Sequence, residues 1–254
     1  MSLFTESGGA SRLRRLELDA FRVVESQHVL STRKLVDSDD EQVRLETLVE
    51  RVKPPVPPAP GFAGLHYLLF TPFRHPPLRW GSRFGRRDER GIFYGSKELA
   101  TAFAEVSYYR LLFLEGTSAA LGTITVELTA FAVSIATRRG IDLTRPPFRA
   151  HEAELASRTS YAATQALGTE LRGAGVEVLL FRSARAERGV NVALFAPAFV
   201  KKRPSREALW ICTASRDKVE LSRKLRDPRG RLASPRFVFP RALFETHGAL
   251  DRVA

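Results

Sequence analysis

Residues 122–137, GTITVELTAFAVSIAT, constrain the fold of this 254-residue chain more than any other segment. They are rich in β-branched side chains, and apolar and polar positions partly alternate, the pattern of a strand with one face against a core. Shorter apolar runs at 66–70, 91–94, 176–181, 190–195, 208–213 and 218–221 read as further strands, with 176–181 and 190–195 as neighbours and the last two as a pair. Helical patterns fall between them: Ser96 can cap a helix over 97–114, and a second helix should cover 151–173 and stop near Gly173 or Gly175. Strands and helices mix without a regular βαβ repeat. The expected fold is therefore α+β, a mixed, mainly antiparallel sheet with flanking helices, rather than a doubly wound parallel sheet.

Upstream, Ser38-Asp39-Asp40-Glu41 has capping-box spacing, and Val43, Leu45, Leu48 and Val49 supply the apolar positions of a short helix. That helix must stop at Lys53, because the proline-rich run 54–60, PPVPPAP, removes backbone donors and favours extended polyproline geometry. The run reads as a semi-rigid spacer, with a Pro-x-x-Pro ligand for another protein as the alternative. Residues 1–60 are accordingly expected to be an accessory helical segment and linker, and residues 61–254 the main domain.

Charge separates the same two parts. Residues 1–60 carry nine Lys/Arg against ten Asp/Glu, and the rest of the chain 31 against 18, so the net charge of +12 belongs to the main domain. Such a field favours anionic ligands. Only seven of the 40 basic residues are Lys, and Arg suits planar, bidentate phosphate recognition, although a GC-rich genome would produce the same bias. The single Cys212 excludes an internal disulfide, and no His takes zinc-ligand spacing with it, so no metal is expected. The most apolar stretch, near 111–137, is interrupted by Glu115 and Glu127, and no charged-then-apolar leader follows Met1; a cytoplasmic protein without membrane association is expected.

Polar chemistry is concentrated in three segments: GSRFG at 81–85, YGSKELATAFAEVSYY at 94–109, and LLFRSARAERGVNVALF at 179–195. In order, they place Gly81, Arg83 and Phe84 in a turn, Tyr94 and Ser96 at a strand end, Ala102 and Glu105 on a helix, then Ser183, Arg185, Asn191 and Leu194-Phe195. This ordered set resembles the RES domain family over roughly residues 66–200, more specifically than any one of its motifs alone. The resemblance implies a fold similar to ADP-ribosyltransferases, NAD as substrate, inorganic phosphate as co-substrate, and a cognate antitoxin protein as partner. Phe84 departs from the Tyr or Trp often found there, and Gly85 from the family's common Asn, which removes a hydrogen bond from that position.

Taken residue by residue, bland and functional readings stand side by side. Arg83, between two glycines, is either a solvated loop Arg or a contact to phosphate, the role the resemblance implies, with Phe84 beside it; Arg74 is a second cation of the same kind. Tyr94 is a half-buried structural ring or a stacking surface for nicotinamide or ribose. Glu105, preceded by Ala102-Phe103-Ala104, needs a partner, a function or a turn toward water. Ser183 lacks a Gly-x-Ser-x-Gly elbow and a nearby His, so it donates to phosphate or ribose rather than attacking a carbonyl. Asn191 bonds across the strand turn or touches the ligand. Together Glu105, Arg83 and Ser183 suit cleavage of the nicotinamide–ribose bond, in which positive charge develops on the ribose. Phosphorolysis, hydrolysis and transfer to a protein side chain need almost the same pocket. A non-enzymatic alternative, nucleic-acid binding by the basic stretch 200–254 with Trp210, Phe237, Phe239 and Phe244 stacking on bases, lacks any module motif.

Overall fold

The computed structural model describes residues 2–26, 35–226, 232–246 and 249–251. Helices α1 (Leu3–Glu6), α2 (Asp39–Val52), α3 (Tyr67–Arg74), α4 (Leu99–Gly116), α5 (Glu152–Leu155) and α6 (Ala162–Gly173) surround the strands. These are β1 (Arg14–Glu25), β2 (Phe93–Ser96), β3 (Ile124–Asp142), β4 (Val178–Arg182), β5 (Val190–Leu194), β6 (Ser205–Ala214), β7 (Lys218–Ser222) and β10 (Arg236–Pro240) in one sheet. Two short pairs stand apart: β8 (Leu225–Arg226) with β9 (Leu232–Ala233), and β11 (Glu245–Thr246) with β12 (Ala249–Leu250). The fold is α+β, and β3 with β4 is the one parallel pairing among the described strands.

The β-branched segment becomes β3, a 19-residue spine. Its first half pairs with β6, its middle with β1, and its last residues with β4, so the order β1-β2-β5-β4-β3 closes back on β1 while β6, β7 and β10 extend from the other side. The period-2 alternation of β4 and β5 then serves two cores. Leu180, Val192 and Leu194 face one with α3, and Leu179, Phe181 and Ala193 face the other with Leu167 and Leu171 of α6. A third core lies under α4, where Phe103 packs on Trp210 and Phe237 and Phe244 is fully buried. The aromatic residues considered as base-stacking groups are thus occupied in packing, with Phe239 partly buried against the same core.

Four expectations change. The helix expected over 151–173 is two, α5 and α6, with residues 156–161 outside both. The run 66–70 is not a strand: His66 accepts from the Leu68 N–H, Thr71 bonds back to the Tyr67 carbonyl, and Leu68, Leu69 and Phe73 bury one side of α3. Ser96 does not cap α4, since its hydroxyl donates instead to Asn191 Oδ1 at 2.7 Å. The boundary drawn at residue 60 runs through the sheet. Arg14–Glu25 pairs with β3 over eleven positions and with β2 at Phe21, and Leu16 and Ala20 enter the same core as α3. What lies outside the sheet is α2, started by the full Ser38/Glu41 capping box and tied to α3 by an ion pair of Glu50 with Arg74 at 2.6 Å.

Candidate functional site

Strand register builds the floor of a cleft. Phe21 of β1 lies opposite Ser96 of β2, Ser96 opposite Asn191 of β5, and Asn191 opposite Phe181 of β4. Residues in one cross-strand row point to the same face, and all four line a cavity of about 550 Å³. That size is in the range of small-molecule sites. α4 forms one wall, the 75–85 loop another, and Tyr161, at the start of α6, closes a third side.

Glu105 projects from the second turn of α4 into this cleft. Its Oε1 accepts from Ser183 Oγ at 2.7 Å and from Asn191 Nδ2 at 2.6 Å. Asn191 is oriented in turn by Ser96, and Ser183 Oγ accepts the backbone N–H groups of Arg185 (3.0 Å) and Ala186 (2.9 Å). Every proton in this chain of bonds runs toward the carboxylate. Oε2 makes no hydrogen bond among the described residues. Ser183 itself stands behind Glu105 and does not line the cleft.

The 81–85 turn presents Arg83 inward. Gly81 adopts φ +74°, and a Cβ there would lie 2.5 Å from the Gly85 carbonyl, so glycine is required. Tyr94 staples the turn from β2: its hydroxyl accepts the Phe84 N–H and exchanges a hydrogen bond with Ser82, both at 3.0 Å. Burial pushes that phenol up to about 12, against the partly offsetting hydrogen bonds from Ser82 and Phe84. Gly168 lets α6 close on the same turn, because a Cβ there would lie 2.1 Å from the Phe84 carbonyl oxygen. Arg83 is 9% exposed, and its guanidinium donates to the carbonyls of Leu155 (3.1 Å) and Ser157 (2.9 Å) and lies over the Tyr161 ring.

Two residues expected at the site are elsewhere. Phe84 is fully buried against Phe181, because the turn that exposes Arg83 to the cleft directs its neighbour into the α6 core. Arg74 is used by Glu50 and the Pro54 carbonyl and does not line the cleft.

The structure adds Arg22, from the strand taken for an accessory segment. Its side chain lines the cleft over the Phe93 ring, and Nη1 donates to the Tyr94 carbonyl at 2.6 Å, while Nε is buried without a hydrogen bond. Burial brings the guanidinium down to about 10, still fully charged near neutrality. Neither Arg22 nor Arg83 has a carboxylate within ion-pair distance among the described residues. Arg185 borders the cleft as a third cation, its guanidinium 3.5 Å above the Tyr108 ring and its pKa lowered by burial. The alternation of Leu16, Leu18 and Ala20 was the available signal for β1; nothing local marks Arg22.

The arrangement is one carboxylate with a free oxygen, surrounded by desolvated cations, two of which, Arg22 and Arg83, have no carboxylate within ion-pair distance among the described residues. It suits an anionic ligand in which positive charge appears next to Glu105. Among the described residues there is no group of His, Cys, Asp or Glu that could hold a metal; His28 and His247 lie outside them. Among the same residues no helix is long and apolar enough to cross a membrane.

A family model described as the RES domain matches residues 58–213. No curated protein matches the chain by sequence. Among solved structures, a chain from the crystal structure of the M. tuberculosis MbcT–MbcA toxin–antitoxin complex is similar at 13% identity with a TM-score of 0.42, over 82% of this chain and 92% of that one.

Proposed function

The chain belongs to the RES domain family, and on that premise we propose that it cleaves the nicotinamide–ribose bond of NAD, with inorganic phosphate as acceptor, and acts as the toxin of a toxin–antitoxin pair. The observation that carries this reading is Glu105, whose Oε1 is fixed by Ser183 and Asn191 while Oε2 is left to the cleft. As the C–N bond breaks, its electron pair goes to nicotinamide, which leaves as a neutral molecule from a cationic pyridinium. The ribose becomes oxocarbenium-like, and the Glu105 carboxylate is placed to stabilise that charge and hold a ribose hydroxyl. A phosphate oxygen then forms the new C–O bond, giving ADP-ribose phosphate and releasing a proton. Arg22 and Arg83 supply the positive walls for the diphosphate and the incoming anion, and Tyr94 keeps the Arg83 turn in place. Ser183 positions Glu105, which replaces the direct phosphate contact expected from sequence.

The antitoxin is proposed from family membership together with the cationic cleft, which favours an acidic segment or a terminal carboxylate as the inhibitor. Expression in a bacterium without the partner tests the toxin reading. Cellular NAD should fall before growth stops, and Glu105→Gln should abolish both effects. Arrest that precedes NAD loss, or that persists with Glu105→Gln, refutes it.

A further inference from the structure

Arg185 is 5% exposed yet charged, and its support comes from beyond the matched RES segment. After β12, Asp251 turns back beneath α4: its N–H donates to the Phe244 carbonyl at 3.1 Å, and its side chain is buried. Its carboxylate Oδ2 lies 3.0 Å from Arg158 Nη1 and 4.0 Å from Arg185 Nη1. Its carbonyl accepts from Tyr108 and, at 3.5 Å, from Arg185 Nη2, which also donates to the Arg158 carbonyl at 3.0 Å. Arg185 is therefore stacked on Tyr108 and held at Nη2 by two main-chain carbonyls, while its buried Nη1, which makes no hydrogen bond, faces the Asp251 carboxylate. Asp251 is the only carboxylate within ion-pair distance of this guanidinium among the described residues.

We propose that Asp251 is a positioning residue of the cleft: it fixes the Arg185 guanidinium as a stationary positive charge in the wall against which the anionic ligand binds. A buried guanidinium without a counter-charge is costly and moves to recover hydrogen bonds. Removing the Asp251 charge leaves Arg185 with two carbonyls and beside Arg158, which repels it. The ligand then meets a displaced cation, and displacement on the scale of 1 Å is enough to lose a charge-assisted contact. The role in ligand binding rests on the reading of the cleft as an NAD site.

The test is a double-mutant cycle in the full chain on NAD turnover, with Asp251→Asn, Arg185→Met and the pair, at about 0.5 M salt, where the long-range field of the lost carboxylate is screened. Asp251→Asn should raise KM for NAD about ten-fold with kcat within about three-fold. A merely structural role would do the reverse, since loss of folded protein lowers kcat and leaves KM alone. In the Arg185→Met background Asp251→Asn should raise KM no further. If Asp251→Asn does not fold, Asp251→Glu, which keeps the charge one methylene out of place, takes its position in the cycle with the same expectation of non-additivity. An unchanged KM, or KM effects that multiply in the double variant, overturns the inference alone. A wild-type chain that leaves NAD intact overturns the functional reading and this inference with it.

Discussion

Glu105→Gln separates charge from shape at the site. The amide oxygen can keep both bonds that Oε1 now accepts, from Ser183 at 2.7 Å and Asn191 at 2.6 Å, so the local structure should persist while the negative charge disappears. A unit charge pair at about 4 Å with an effective dielectric of about 20 is worth about 4 kcal/mol. At about 1.4 kcal/mol per decade this would be nearly 10³-fold in rate, and a ribose carrying only part of the charge reduces it to about 10²-fold or more. Single-turnover release of nicotinamide should therefore slow by about 10² or more, while calorimetric affinity for NAD changes by no more than a few-fold, because the charge is needed most in the transition state. Near-normal turnover would refute the electrostatic role, and an equal loss of binding and turnover would make Glu105 a ligand-binding group instead.

Further outcomes follow from the fold. A chain beginning at Gly61 removes β1, and with it Leu16 and Ala20 from the core, Arg22 from the cleft and eleven positions of pairing with β3; it should be insoluble or lack a cooperative melt, and a folded, active product would show β1 to be dispensable. Tyr94 keeps its proton up to about pH 12 in the fold, whereas an exposed phenol loses it near 10. Its contribution to stability is therefore complete below about pH 10 and is lost, by up to about 3 kcal/mol, between 10 and 12. Urea titrations of wild type and Tyr94→Phe across that window should show the steeper decline in the wild type, the comparison cancelling the opposite slope from Arg22; parallel curves would remove Tyr94 from the account.

Local patterns were legible where local physics decides. The capping box at Ser38, the β-branched spine, and the paired runs that became β4–β5 and β6–β7 all read directly, because period, caps and turns are written in neighbouring residues. The run 66–70 misled because a short apolar segment fits either a strand or a buried helix, and the His66 cap that decides between them acts through a side chain seldom used for it. β1 alternates as a strand should, but its value lies in pairing with β3 more than a hundred residues away, which no local window shows. The same holds at the site. Arg83, Tyr94, Glu105 and Asn191 were visible as chemistry-bearing residues and meet at one cleft. Arg22 could not be seen, being one Arg among 33, and Phe84 was misplaced because a turn decides which of two adjacent side chains faces the ligand.

The measurement that tests the central claim most directly is incubation of the purified full chain with NAD, following nicotinamide release with and without inorganic phosphate. The cleft as described predicts release of one nicotinamide per NAD consumed, faster with phosphate and accompanied by ADP-ribose phosphate. Release that is indifferent to phosphate would assign water as the acceptor. NAD that stays intact in the presence of the folded, partner-free chain would contradict the account.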